Sequence, residues 1–159
     1  MGNYQIMSLS MQFYKDDPSK LYPEILSKNT RHYYVAVIKL NYLKGKYICI
    51  PFRSEMNHNN GYKFRFSKRS KIHKSGLDFS KLVIITNLKY LEKDTCIDDD
   101  EFLEMLKNGD IITRKLIRYI DEYKAILTGN LKVDQQYFNR RYKYSTLKYF
   151  HKELGIDTY

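Results

Sequence analysis

HYYVAVIKLNYLKGKYICIPF, from His32 to Phe52, contains the strongest secondary-structure signal in the chain. Its two ends, 32–40 and 46–52, are rich in β-branched and aromatic residues, which favour strands. Between them, NYLKG contains Gly45, a residue type that forms turns easily. The segment therefore predicts a β-hairpin. Pro51 has no backbone N–H, so we expect it at a strand end or a sheet edge.

Two runs after the hairpin also have the pattern of strands. GYKFRF alternates, so Tyr62, Phe64 and Phe66 should lie on one face of a strand and its two cations on the other. LVIITNL, residues 82–88, is largely apolar, as in a central strand that is covered on both faces. The sequence thus predicts four strands before residue 90.

Helical patterns follow in the second half of the chain. DDDEFLEMLKNGD has acids at its start and Asn108-Gly109 at its end, which predicts a short helix. Apolar residues recur at helical spacing from Ile112 to Leu127, which predicts a long amphipathic helix ending at Gly129. The tail from residue 134 to 154 predicts one or two further helices with an apolar face and a basic face.

Strands followed by helices predict an α+β fold, with a compact, twisted, largely antiparallel sheet, helices packed on it and a mostly helical C-terminal half. A length of 159 residues with 43% hydrophobic content favours one domain, 1–159, in which residues 1–10 are expected to be a dispensable lead-in. The N-terminus has no signal-peptide pattern, the longest aliphatic run is LVII, and the two cysteines do not form a disulfide framework. We therefore expect a cytoplasmic protein that is not associated with a membrane.

Charge gives the first indication of function. The chain has 28 basic and 18 acidic side chains, a formal charge of +10, which favours a polyanionic partner. A cluster of cations follows the hairpin, with only Glu55 opposing it in the sequence. Such a run is either a solvated face or a nucleic-acid contact, and its density favours nucleic acid. The cluster comprises Arg53, Lys63, Arg65, Lys68, Arg69, Lys71 and Lys74.

The common catalytic motifs are absent from the sequence, and no metal or other cofactor is expected. The acids from Asp98 to Glu101 either hold a cation or cap the following helix, and their position favours capping. His58 and His73 lack the spacing of a zinc site. His58 is either a proton donor or phosphate contact, or an idle surface residue. The aromatics of YKFRF either stack on bases or are buried in the core.

Several segments together resemble the ToxN/AbiQ endoribonucleases of type III toxin-antitoxin systems, especially the CptN-like and TenpN-like branches. These segments are FY at 13–14, YYVAVIKL at 33–40, KGKYICIPFRS at 44–54 and SGLDFSKLVII at 75–85. The resemblance covers about residues 11–127 and is weakest in the tail. In many relatives the serine that corresponds to Ser54 is followed by proline and lysine, where this chain has Glu55 and Met56.

The resemblance implies a core similar to the MazF/Kid toxins and a metal-independent endoribonuclease that leaves 2′,3′-cyclic phosphate and 5′-hydroxyl ends. It implies that Arg53 stabilises the phosphorane, that Ser54 positions the phosphate or the 2′-hydroxyl, and that His58 serves as acid or base. No residue stands out as the base. The predicted RNA-binding residues are Lys63, Arg65, Lys68, Arg69, Lys71 and Lys74.

The same resemblance implies the partners. The substrate would be single-stranded RNA, and the inhibitor a structured, repeat-derived antitoxin RNA, expected to be a pseudoknot, which the toxin trims from its own transcript. Toxin and antitoxin RNA would assemble into closed, cyclic protein-RNA complexes and act in phage defence by abortive infection. The alternative from another functional class is an RNA-binding protein without catalytic activity.

Overall fold

The computed structural model describes residues 4–16, 34–93 and 99–156. These residues form an α+β fold in which helices pack on an antiparallel sheet, as the sequence predicts. The sheet order is β4-β5-β3-β2-β1-β7, and β6 also pairs with β3. The strands are β1 (Gln5–Leu9), β2 (Tyr34–Ile38), β3 (Tyr47–Arg53), β4 (Gly61–Lys63), β5 (Gly76–Asp78), β6 (Val83–Ile85) and β7 (Leu91–Lys93).

The predicted hairpin of β2 and β3 is confirmed and forms the middle of the sheet. The two strands pair antiparallel from Val35 opposite Pro51 to Ile38 opposite Ile48. Gly45 in the turn has a φ of 73°, a left-handed conformation that glycine adopts without a steric cost. Alternate residues of the hairpin enter two apolar clusters on opposite faces of the sheet, so both faces are buried.

Pro51 lies inside β3 and not at its end. On the edge of β3 away from β2, Tyr47–Cys49 pair with β6, and Phe52 and Arg53 pair with β5. Pro51 therefore occupies the interval between two partner strands, where a missing N–H interrupts neither of these ladders. This change of partner directs the end of β3 towards β5.

Residues 5–9 form a strand of the sheet that the sequence did not predict, and the dispensability of residues 1–10 stays a prediction. β1 pairs with β2 on one edge and with β7 on the other. Leu9 is buried in the apolar cluster with Val35 and Val37. The sequence signal was weak because β1 contains the polar residues Gln5 and Ser8 among its five.

The GYKFRF run is only partly a strand. β4 ends at Lys63, and Tyr62 and Phe64 are buried in the core, one of the two alternatives that the sequence left open. Phe66 is 74% exposed, so the predicted alternation does not extend to this residue. The chain instead turns here into a helix whose N-cap is Ser67, because the Ser67 hydroxyl accepts a hydrogen bond from the amide of Ser70.

Helices follow most of the predicted pattern. Asp99–Lys107 and Gly109–Leu127 meet at Asn108, and the longer helix buries Ile112, Leu116, Ile120 and Tyr123, whereas Leu127 is exposed. In the described part of the chain, no helix is both long and apolar enough to cross a membrane. The helices are α1 (Met11–Asp16), α2 (Lys68–His73), α3 (Asp99–Lys107), α4 (Gly109–Leu127), α5 (Gln135–Tyr142) and α6 (His151–Leu154).

Candidate active site

The polar residues predicted for catalysis lie where β3 leaves the sheet. Arg53 is its last residue and pairs with Gly76 of β5, and Ser54 follows directly. The chain then contacts α2 through Ser54 and Glu55 and returns through His58 to β4. We call this part of the surface, residues 53–60 with α2 and β5, the β3 rim.

A buried carboxylate anchors the β3 rim. Asp78 is 0% exposed, and its Oδ2 accepts hydrogen bonds from Arg53 Nη1 at 2.8 Å and from His58 Nε2 at 3.3 Å. Its Oδ1 accepts from the backbone amide of Ser80 at 2.9 Å and from the Ser80 hydroxyl at 2.6 Å. Asp78 thus fixes two of the predicted site residues, although Asp78 itself was not among those predicted.

The charge of Asp78 is stabilised where it lies. Burial acts to raise its pKa, but hydrogen bonds from His58, Ser80 and Arg53 outweigh burial, so the pKa lies below its ordinary value. A carboxylate with four donors and no exposed surface is ionised at neutral pH. It holds Arg53 and His58 in a fixed arrangement.

Both ring nitrogens of His58 have partners within the protein. Nδ1 accepts a hydrogen bond from the backbone amide of Asn60 at 3.1 Å, so it carries no proton. The proton is therefore on Nε2, which donates to Asp78. In this arrangement His58 positions Asp78 and the loop and has no ring nitrogen turned to a substrate.

Ser54 contacts α2 through Arg69. Its hydroxyl oxygen accepts a hydrogen bond from Arg69 Nε at 3.1 Å and a second from Arg69 Nη2. Arg69 was predicted to contact RNA, and it is half-buried beside Ser54. Since the hydroxyl accepts from Arg69, its own hydrogen can be donated to another oxygen.

Met56 occupies a position where the family resemblance places a lysine in many relatives. It is 1% exposed. A Cβ built on Gly61 would lie 2.5 Å from Met56 Cε, and one on Gly76 would lie 2.9 Å from its Sδ. Met56 therefore fills the space left by two glycines, and this position has no room for a solvated cation.

Acids of α3 bind the backbone of the basic segment. The Glu104 carboxylate accepts from the amides of Arg65 and Phe66 at 2.9 and 2.8 Å, and from the hydroxyl of Tyr62 at 3.0 Å. Burial and this carboxylate raise the pKa of Tyr62 to about 12. Asp100 accepts from the first amide of α2, that of Lys68, at 2.8 Å.

Asp100 therefore caps α2, whereas capping of α3 by the same acidic run stays a prediction. The sequence suggested that the run from Asp98 caps α3 itself; Asp98 lies outside the described residues. Glu101 is buried and accepts from the hydroxyl of Ser75 at 2.7 Å. These carboxylates bind amides and hydroxyls, so they do not neutralise the lysine and arginine side chains of the segment.

Two basic clefts adjoin the β3 rim. One, of about 390 Å³, lies between β4 and α4 and is lined by Lys63, Arg65, Phe66 and Lys115, among others. The other, of about 410 Å³, is lined by His58, Asn59, Asn60, Tyr137, Arg140 and Arg141. A smaller cleft that includes Arg118 shares Lys115 with the first and Arg141 with the second. The clefts thus form one basic surface.

Sequence reasoning placed only part of this basic surface near the site. Arg140 and Arg141 were predicted on the basic face of a tail helix, whereas Lys115 and Arg118 went unselected because they fall among the polar positions of an amphipathic helix. Asn60 links α5 to the β3 rim, since it donates to the carbonyl of Arg140 at 3.1 Å and accepts from Arg141 at 3.3 Å.

Comparisons with family models, with curated proteins and with solved structures gave no match to this chain. Among the residues that the structure describes, no three His, Cys, Asp or Glu side chains are grouped in a way that would hold a metal ion.

Proposed function

We propose that this protein is a metal-independent endoribonuclease that acts on single-stranded RNA, in the manner of a type III toxin. The observation that carries the proposal is the pairing of two anchored groups at the β3 rim. Arg53 is fixed by the buried Asp78, and Ser54 is fixed by Arg69. Consecutive residues thus present a guanidinium and a hydroxyl beside a basic surface.

These two groups suit the charge that develops during RNA cleavage. The Arg53 guanidinium gives one N–H group to Asp78 and has further N–H groups for phosphate oxygens. Ser54 donates its hydrogen to another oxygen of the same phosphate. Both donors are held in place before the substrate binds, so they stabilise the pentavalent phosphorane without reorganising.

The basic surface would hold the RNA strand on both sides of this phosphate. The expected contacts are Lys63, Arg65, Lys68, Lys71 and Lys74, and we add Lys115 and Arg118 because they line the same clefts. Phe66 lines the same cleft with its ring exposed, and it offers a face on which a base can stack. We assign Arg69 and His58 to positioning of the site.

The remaining parts of the proposal rest on the resemblance to the ToxN/AbiQ family. They are a core of the MazF/Kid type, inhibition by a structured repeat-derived RNA, and assembly with that RNA into closed complexes in the cytoplasm. A basic surface that extends from β4 to α5 is consistent with an RNA partner larger than the substrate strand.

One observation favours the alternative, an RNA-binding protein without catalytic activity. Both ring nitrogens of His58 are already bonded within the protein, so the residue that the sequence offered as acid or base has no free nitrogen. The basic surface alone would suffice for binding. Cleavage by the purified protein separates the two functions.

The test uses purified protein and a fluorescently labelled, unstructured RNA in buffer with EDTA. We expect cleavage, with a 2′,3′-cyclic phosphate on one product and a 5′-hydroxyl on the other. End groups are identified by whether kinase and phosphatase treatment shift the products. RNA that is bound but stays intact would support the alternative, and cleavage only after magnesium is added would contradict the mechanism.

A further inference from the structure

A second histidine of the β3 rim differs from His58 in which ring nitrogen carries the proton. His73, the last residue of α2, has its Nδ1 3.0 Å from Oε1 of Glu55. A carboxylate is an acceptor, so Nδ1 carries the proton. In neutral His73 the lone pair is then on Nε2, for which the described residues provide no hydrogen-bond partner. His58 has its lone pair bonded inside the protein, and His73 has it turned outward.

The backbone brings this pair to the catalytic residues. Glu55 directly follows Ser54, and its amide donates to the carbonyl of His73. The next amide, that of Met56, donates to the carbonyl of Lys74 at 3.0 Å. The C-terminal end of α2 is therefore joined to the segment after Ser54 by main-chain hydrogen bonds as well as by side chains.

α2 aligns His73 with the group that holds Ser54. Arg69 and His73 are four residues apart in this helix, so their side chains lie on one face. Arg69 contacts Ser54, and His73 contacts the next residue, Glu55. The face of α2 that carries Arg69 and His73 therefore packs along Ser54 and Glu55, and His73 lies one helical turn from Arg69.

The junction is held in an unusual backbone conformation. Glu55 has a φ of 54° and Lys74 has a φ of 52°, which are left-handed values that residues other than glycine rarely adopt. They are the two non-glycine residues with such values in the described part of the chain; Glu55 itself contacts His73, and Lys74, the C-cap of α2, follows His73 directly. Backbone strain of this kind is concentrated at functional sites.

We infer that His73 is the general base of the cleavage reaction and that Glu55 is the residue that positions it. The inference rests on the proposed function and deepens it, because His58, which the sequence offered as acid or base, has both ring nitrogens bonded within the protein. The substrate class is an RNA phosphodiester with a free 2′-hydroxyl. Glu55 fixes the ring and its tautomer, as carboxylates do for catalytic histidines.

The step balances without a metal or a redox partner. His73 Nε2 takes the proton of the 2′-hydroxyl, and the 2′-oxygen forms a bond to phosphorus while Arg53 and Ser54 hold the phosphate oxygens. The bond from phosphorus to the 5′-oxygen breaks, and that oxygen takes a proton from water. The resulting hydroxide is neutralised by the proton that His73 then releases. The products are a 2′,3′-cyclic phosphate and a 5′-hydroxyl.

The experiment compares single-turnover cleavage rates at saturating protein for wild type, His73→Ala, Glu55→Gln and Glu55→Ala. We expect His73→Ala to lower the rate by about 100-fold or more, the usual effect of losing a general base. Added imidazole should restore part of that rate. Glu55→Gln should lose less than Glu55→Ala, because an amide oxygen can still accept from Nδ1. RNA affinity should change little in all three.

Ile72→Ala is the matched control, since Ile72 is an exposed neighbour on the same helix, and it should cleave at the parent rate. A His73→Ala protein that cleaves within about threefold of wild type, or a loss that imidazole does not restore, overturns the assignment of the base and leaves the nuclease function standing. Wild-type protein that binds RNA without cutting it overturns both. Thermal unfolding of each variant identifies a rate loss that comes from misfolding. If His73→Ala does not fold, Glu55→Ala decides the question: it keeps the His73 ring, so its rate should fall and added imidazole should not restore it.

Discussion

Replacing Asp78 with Asn tests the anchor of the β3 rim. The change is nearly isosteric and removes one negative charge. An amide oxygen turned to Ser80 keeps both of its hydrogen bonds. The amide nitrogen then faces Arg53 Nη1 and His58 Nε2, which are both donors, so the two hydrogen bonds to Oδ2 are lost.

The size of the effect follows from those two hydrogen bonds. Each involves an ionised group, and such bonds contribute about 1.5–3 kcal/mol. The side chains of Arg53 and His58 are 40% and 34% exposed, so water replaces part of the loss. We expect the free energy of unfolding to fall by about 2–4 kcal/mol, and Tm to fall by roughly 2–4 °C for each kcal/mol.

Urea unfolding measures the change, with tyrosine fluorescence as the signal because the chain has 16 tyrosines and no tryptophan. Asp121→Asn, an exposed aspartate of α4, is the control and should stay within about 0.5 kcal/mol of wild type. A change of less than about 0.5 kcal/mol for Asp78→Asn would refute the idea that Asp78 anchors the rim.

The pH dependence of the same difference has a definite sign. The pKa of Asp78 is lower in the folded protein than in the unfolded chain, where it is about 3.9. Its contribution to stability is therefore fully present above about pH 4 and is lost as the pH falls through the folded value. The stability gap between wild type and Asp78→Asn should be constant near neutral pH and should shrink in acid.

Three further predictions concern packing and RNA binding. Met56→Lys should destabilise the fold by about 3 kcal/mol or more because it buries a charge, whereas Met56→Leu should cost less than about 1.5 kcal/mol; equal stability of the two would contradict the packing described. Reversing the charges of Lys68 and Lys71 should weaken RNA binding. The slope of log K against log salt concentration should become less steep by about 0.7 for each phosphate of the single strand that the protein no longer neutralises. An unchanged slope would show that these two side chains are only solvated. Phe66→Ala should weaken binding of single-stranded RNA by about 1–3 kcal/mol, measured by fluorescence anisotropy. The control is Leu88→Ala, which changes another exposed apolar residue. An equal effect of the two substitutions would argue against stacking on Phe66.

The hairpin and the long helix could be predicted because their signals are local. The β-branched and aromatic residues of β2 and β3 and the spacing from Ile112 to Tyr123 are readable from neighbouring positions. β1 was missed because its partners, β2 and β7, are distant in sequence and its own composition is mixed. Phe66 was placed wrongly because periodicity does not show where alternation stops.

The candidate site could be predicted only in part for the same reason. Arg53 and Ser54 follow a strong strand signal, and their exposure at its end is a local property. Asp78 lies 25 residues from Arg53, and nothing near it in the sequence indicates which cation it binds. One available signal was its position as a lone acid inside the apolar run SGLDFSKLVII. Likewise, the acids of α3 act on amides more than 30 residues away.

The most direct test of the proposed nuclease is Ser54→Ala, assayed for cleavage and for binding with the same unstructured RNA in EDTA. The substitution removes one hydroxyl and the acceptor of Arg69, both at the surface, so stability should change by no more than about 1 kcal/mol. We expect RNA affinity to stay within about threefold of wild type while the single-turnover rate falls by about 100-fold or more, the usual cost of removing one donor to a transition-state oxyanion. Cleavage by Ser54→Ala at the wild-type rate, or its failure to fold, would contradict the assignment of the β3 rim as the active site.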